Sequence, residues 1–384
     1  MTILVLNVGS SSVRHALFAH GGEQVLARGH AKAAGSAAVV AAVRSALARL
    51  PVPPTAVAHR VAHGGERLVE PVVVDAQVEH AIEAQVPFAP LHNPLSLLGI
   101  RVARERLPEA PQIAVFDTAF HATLPHHAFL YALPRSYYEV NGIRRYGFHG
   151  SSHQHMTEAA AHHLRADPER LRLVTCHLGS GASVAAIDHG RSVETSMGMT
   201  PLEGLVMQTR CGDVDPGVLV HLLRHGLTAD ALEELLERRS GLVGLSDVDG
   251  DVHAILEAAE RGSEHARQAI AVFVHRLRKY IGGYVAVLGG VDALVFSGGV
   301  GEGSAQLRAG ACATLGFLGV RLDEARNRDA RPPEPGGVVE VSADDATVRV
   351  LVVHADEERV IARAAARLIA RGLAGADAQG QLRG

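Results

Sequence analysis

Leu171-Arg172-Leu173-Val174-Thr175-Cys176-His177-Leu178-Gly179-Ser180-Gly181-Ala182-Ser183-Val184-Ala185-Ala186-Ile187-Asp188 is the stretch that decides the fold. An apolar run rich in β-branched residues stops at a Gly-Ser-Gly tip, and a second apolar run returns. That pattern predicts a hairpin, 171–178 against 182–188. A second copy opens the chain: residues 3–7 run into Gly9-Ser10-Ser11-Ser12, and 13–18 return. The likeness points to an internal duplication.

Around these hairpins the chain alternates strand-like and helix-like pieces, the mark of an α/β protein. Strands are expected at 57–61, 112–116, 292–297 and 348–354. Helices are expected at 31–50, 268–288 and 357–371. Residues 331–337, with three prolines and two glycines, predict a surface loop, and 372–384 a frayed tail.

At 384 residues and 40.5 kDa the chain is longer than one hydrophobic core usually spans, so two domains are expected. Hydrophobic residues make up 47% and charged residues 20%, enough for a packed core. A net charge of −4 argues against a nucleic-acid binder. No apolar run is long enough to cross a membrane, and the first residues lack the basic stretch of a signal peptide. Cys176, Cys211 and Cys312 are scattered and odd in number, which favours a reducing, cytoplasmic setting.

Only two of the 37 basic residues are lysines, Lys32 and Lys279. No G-x-x-x-x-G-K-[ST] run exists, so a Walker P-loop is excluded. Any anion must be met by Arg and His. The Gly/Ser tips at 9–12 and 179–181 suit close backbone approach to a phosphate, with Arg14 adding charge, or are ordinary turns. Arg60, inside an apolar strand, is either an anion clamp or half of an internal salt bridge. His59 and His63 precede Gly64-Gly65, where no helix forms to pair them on a metal. Asp117, after a strand, sits where open α/β sheets place catalytic groups, or caps a helix. The run Arg144-Arg145-Tyr146-Gly147-Phe148-His149-Gly150-Ser151-Ser152-His153 suits an anion pocket, with His149 placed to bond a phosphoryl group. Arg210 is a second candidate clamp. Gly298-Gly299-Val300-Gly301 predicts a loop able to pass under a nucleotide. This inventory fits phosphoryl transfer by positioning and electrostatics.

The sequence closely resembles the acetate kinase family of short-chain carboxylate kinases, within the actin/Hsp70/sugar kinase superfamily. The resemblance runs over almost the whole chain. It rests on Leu6-Asn7-Val8-Gly9-Ser10-Ser11-Ser12, His59-Arg60-Val61-Ala62-His63-Gly64-Gly65, Pro90-Leu91-His92-Asn93-Pro94 and Phe116-Asp117-Thr118-Ala119-Phe120-His121. It continues through Tyr146-Gly147-Phe148-His149-Gly150-Ser151-Ser152-His153, Cys176-His177-Leu178-Gly179, Thr200-Pro201-Leu202-Glu203-Gly204-Leu205 and Gly298-Gly299-Val300-Gly301-Glu302.

The resemblance implies two duplicated RNase H-like domains with the active site in the cleft between them. It places the first at 1–118 plus 358–384 and the second, nucleotide-binding and dimerising, at 119–357. It implies transfer of a phosphoryl group from ATP to acetate with Mg²⁺ (or Mn²⁺), in a cytoplasmic homodimer with no nucleic-acid or membrane partner. Arg60 and Arg210 would hold the carboxylate and the phosphoryl group. His149 would stabilise its equatorial oxygens, and Asp117, Asn7 and Glu357 would organise the metal. Ala62, Leu91, His92, Phe148 and Pro201 would line the acyl site. ATP would meet Ser10, Ser12, Arg14, His177, Gly179, Ser180, Gly181, Asp251, Val252, His253, Gly298, Gly299, Val300, Gly301, Glu302 and Gly303.

Several positions depart from the family pattern: Arg14 for Lys, Ser180, Gly303 and Asp356 for Asn, and His253 for Arg. Ala62 stands where Val is common; the missing methyls either enlarge the pocket enough to admit propionate or are filled by neighbours. A superfamily member that binds nucleotide without kinase activity is the reading from another class. Asn7, Arg60, Asp117, His149, Arg210 and Glu357 argue against it.

Overall fold

Alternation along strand β1 (Thr2–Val8) divides its side chains between two cores. Ile3 and Val5 pack with Ile361, Ala362 and Ala365 of the closing helix, Glu357–Gln381. Leu4, Leu6 and Val8 pack on the other face with Val39 and Val43 of helix Ser36–Ala48 and Val102 and Ala103 of helix Asn93–Arg106. A sheet covered on both faces by helices is the result. The protein is described here from a computed structural model covering residues 1–9, 12–249 and 251–381.

The first sheet also contains β2 (Ser12–Ala19), β3 (Gln24–Lys32), β4 (Ala56–Val61), β5 (Val72–Val73) and β6 (Gln112–Phe116). Its order is β3-β2-β1-β4-β6-β5, with β2, β3 and β5 antiparallel to their neighbours and β1, β4 and β6 parallel. The second contains β7 (Arg172–Leu178), β8 (Ala182–Asp188), β9 (Arg191–Thr195), β10 (Ala293–Ser297), β11 (Val338–Glu340) and β12 (Arg349–Val353). Read from its other edge, its order is β9-β8-β7-β10-β12-β11. Strand for strand this repeats the first sheet, including the short antiparallel edge strand that precedes the fifth core strand in sequence. The duplication expected from two hairpins therefore extends over six strands, giving two RNase H-like units. The chain separates into Met1–Ala122 with Asp356–Gly384, and Thr123–Ala355.

Three expectations need correction. The helix expected over 31–50 begins only at Ser36, because Ala31 and Lys32 end β3 and Gly35 takes φ +81° before the helix starts. The tail expected to fray from 372 continues the closing helix to Gln381. The Gly-rich stretch after β10, expected as a loop, forms a short helix, Gly298–Gly303. Four of its six residues are glycines, each costing about 1 kcal/mol relative to alanine in a helix, so its neighbours must hold it.

Candidate active site

In the first unit, the ends of the parallel strands gather a charged cluster. Arg60, the fifth residue of β4, donates from Nη2 to Asp117, which follows β6. Its Nη1 donates to Asn7 Oδ1 of β1 at 3.3 Å. Asn7 Nδ2 in turn donates to Glu358 Oε1 at 3.5 Å. Burial opposes the charge of Arg60, but Asp117, Glu357 and Glu358 outweigh it and hold its pKa above the usual arginine value. Burial and the neighbouring Glu357 push Glu358 up from the usual carboxylate range. Arg14 lies opposite Asn7 in the β1–β2 register and adds positive charge near Glu358. Arg60 is thus half of an internal salt bridge, with Asp117 as its partner. One donor of Arg60 stays unspent: Nε is buried with no hydrogen-bond partner.

The stretch carrying Ala62 is fastened beside the one carrying Leu91 and His92. Asn93 is fully buried, accepts from His63 N at 3.1 Å and donates to His63 O at 3.1 Å. His63 Nδ1 accepts from Gly65 N, and His59 Nε2 meets Gln112 Oε1 at 2.8 Å. Burial drives His59 down to about 4, which keeps it neutral.

In the second unit, the β7–β8 tip, the N-terminus of helix Gly150–Leu164 and the Arg210 loop meet. His149 precedes that helix in a left-handed conformation, φ +57°. Its Nδ1 lies 3.0 Å from Ser183 Oγ, and its ring stacks on His177 at 4.3 Å between centroids. His177 Nδ1 lies 2.7 Å from Ser152 Oγ. His153 Nε2 lies 2.8 Å from the same Ser183 hydroxyl, and its Nδ1 2.8 Å from Thr175 Oγ1. A Cβ built on Gly181 would sit 3.4 Å from both Arg210 Nη1 and His149 Nε2, so glycine here leaves room at their meeting point.

Arg210 donates to Pro201 O at 3.3 Å and contacts Met207 Sδ at 3.7 Å. Burial lowers its pKa, against the raising effect of Glu237. A guanidinium this buried, bonded to a carbonyl and a thioether, suits an incoming anion.

The sequence matches the acetokinase family model over residues 28–363. The chain belongs to the acetokinase family. It is 47% identical over 399 residues to the acetate kinase of Leifsonia xyli subsp. xyli, covering 96% of this chain and 99% of that one. The crystal structure of Porphyromonas gingivalis acetate kinase has a TM-score of 0.85 and 38% identity, covering 94% of this chain and 98% of that one. A propionate kinase from Francisella tularensis subsp. tularensis SCHU S4 also has a TM-score of 0.85, with 33% identity and the same coverage.

Other residues expected at an acetokinase site have settled local roles. Asp251 caps helix Val252–Glu260 by accepting from Ala254 N at 3.0 Å, while Val252 is buried. His253 is exposed and pairs with Glu257 at 3.2 Å. Glu302 Oε1 accepts from Gly298 N at 3.1 Å and Ala355 N at 3.0 Å. Ser180 O accepts from Gln208 N and Gly179 N donates to Gly181 O, which fixes the hairpin tip. Phe148 lies in the hydrophobic core of its unit. Ser12 O accepts from Gly9 N at 2.8 Å, and Ser10 lies outside the described residues. Sequence reasoning missed Ser183, Ser152 and Glu358. The hydroxyls stood inside quoted motifs, but only the packing of helix Gly150–Leu164 on the β7–β8 hairpin shows which histidine each one meets.

Proposed function

We propose that this chain transfers the terminal phosphoryl group of ATP to acetate, reversibly, giving ADP and acetyl phosphate. Membership of the acetokinase family supports the reaction class, and the arrangement of Arg210, His149 and Gly181 carries the mechanism. A carboxylate is ionised at neutral pH and needs no general base. One of its oxygens bonds to the γ-phosphorus in line as the bond to the ADP oxygen breaks. Arg210 and His149 donate to the equatorial oxygens, where charge develops. Arg60, fixed by Asp117 and Asn7, offers its unspent Nε–H to the carboxylate. An unmet buried donor is costly, and an arriving anion relieves that cost.

The reaction class implies a divalent ion, and Mg²⁺ fits the donors of the first unit. Asn7, Asp117, Glu357 and Glu358 offer only oxygen, the ligand Mg²⁺ prefers. No group of three His, Cys, Asp or Glu side chains among the described residues is spaced to hold an ion alone. Mg²⁺ takes one or two carboxylates and completes its shell with water and phosphate. When bound, Mg²⁺ would neutralise phosphate charge. Asn7 and Glu357 would hold it, and the crowding that raises Glu358 would ease. ATP would lie against the 179–181 tip and Gly298–Gly303.

No described helix is long and apolar enough to cross a membrane. The three free cysteines support a cytoplasmic setting. Exposed Val218, Val220 and Leu223 on helix Pro216–Arg224 support a homodimer, which light scattering tests.

Trapping acyl phosphate as hydroxamate, with Mg-ATP and acetate, propionate, butyrate or no acid, tests the reaction. Product with acetate foremost is expected, and none with any acid would refute it. A second reading, propionate as the preferred acid, is favoured by buried Ala62 and its missing methyls. A62V should then lower kcat/KM for propionate relative to acetate about tenfold.

A further inference from the structure

Arg308 heads the largest fully buried side chains among the described residues, with 0% of its surface exposed. It sits on helix Ala305–Cys312, in a stretch that sequence patterning left without a role. Its hydrogen bonds reach no carboxylate. Nε donates to Asn327 Oδ1 at 2.8 Å and Nη2 to Asn327 O at 2.6 Å. Nη1 donates to Gly301 O and to Glu302 O, each at 2.8 Å. Burial, then the nearby Arg331, brings its pKa down to about 10. Asn327 is held in its own right, donating to Ala305 O at 2.9 Å.

Two of those acceptors belong to the Gly-rich turn. Gly298–Gly303 has four glycines and so little side-chain packing to define it. Its start is held by Glu302 Oε1, which accepts from Gly298 N. Its end presents carbonyls that a helix of this length leaves unsatisfied, and a positive group there is favourable. Arg308 fills that place from inside the fold. On the outside, a Cβ built on Gly299 or Gly303 would meet nothing within 4 Å, so the turn offers bare backbone.

We infer that Arg308 is a positioning residue for the nucleotide, holding the Gly298–Gly303 backbone in the shape that receives it. The inference rests on the reading that this turn carries ATP. Arg308 touches neither substrate, so its loss should act on nucleotide affinity and spare acetate.

The test measures KM for ATP and for acetate, and Kd for Mg-ADP by calorimetry, in R308M and R308K. Amide exchange across 298–303 is followed alongside. Kd for Mg-ADP and KM for ATP should rise at least tenfold in R308M and less in R308K. KM for acetate should stay within twofold, and exchange across the turn should quicken. Equal rises in both KM values, or a fall in kcat alone, would overturn the inference. Should R308M fail to fold, N327A removes the bond to Nε but keeps the charge, and the same split is expected at smaller size. G299V separates the two claims, since the open side of the turn accepts valine. If G299V binds Mg-ADP as tightly as the wild type, the nucleotide reading fails and takes the inference with it. If G299V weakens binding while the Arg308 variants do not, the inference alone fails.

Discussion

Arg60 of the first unit and Arg210 of the second are both partly buried arginines, yet their surroundings are opposite. Arg60 is bonded to Asp117 and Asn7 and has two further glutamates nearby. Arg210 is bonded to a carbonyl and a thioether, and burial outweighs its one nearby carboxylate. The first charge is compensated within the fold and its geometry is fixed. The second carries a standing cost that an arriving anion removes. A compensated arginine orients, and an uncompensated one attracts. In the proposed reaction the first would orient an anion and the second would attract one.

The two arginines should differ most in what their loss does to stability. R60A leaves Asp117, 1% exposed, without its countercharge. Losing one partner of a buried pair costs about 3–5 kcal/mol. Denaturant melts should show a loss of that order, and D117N in the same background should recover part of it. R210A breaks no hydrogen-bonded ion pair, so its melt should stay within about 1 kcal/mol of wild type. Its kcat, however, should fall about 10²–10³-fold, as when one donor to a transition-state oxygen is removed. A stable R60A or an unstable R210A would erase the distinction.

Acid should act on the same strand. His59 precedes Arg60 on β4, so one strand carries a neutral and a charged group side by side. Its folded pKa of about 4 lies below the ordinary 6.5, so the unfolded chain binds the extra proton between those values. Its contribution is therefore complete above pH 6.5 and lost as pH falls toward 4, by up to ~3 kcal/mol. H59Q should flatten that limb in melts at pH 7 and 4.5. The smallest effect belongs to S183A. Removing the hydroxyl shared by His149 and His153 should cost about 1 kcal/mol, seen as a several-fold fall in kcat.

Much of this was legible in the sequence. Apolar runs betrayed both hairpins and four of the parallel strands. β3 escaped because its alternation is half polar, leaving alternate residues exposed, and it was absorbed partly into the helix after it. β5 and β11, with two and three residues, are too short to show a period. Arg60, His149 and Arg210 stood out because charge in an apolar or glycine-rich setting needs a reason. Arg308 did not, because an arginine among alanines on a helix looks solvent-exposed until its neighbours are known. The Gly298–Gly303 helix ran against propensity, and Glu302 and Arg308, which fasten it, come after the glycines begin.

His149 holds a backbone shape that glycine adopts freely and that costs other residues about 1–2 kcal/mol. Replacing it with glycine would relax the chain and remove the imidazole in one step. A laboratory selection that rewarded heat resistance alone would therefore be drawn toward a sturdier, idle protein at this position. Any library built on this scaffold has to be screened for turnover from the first round.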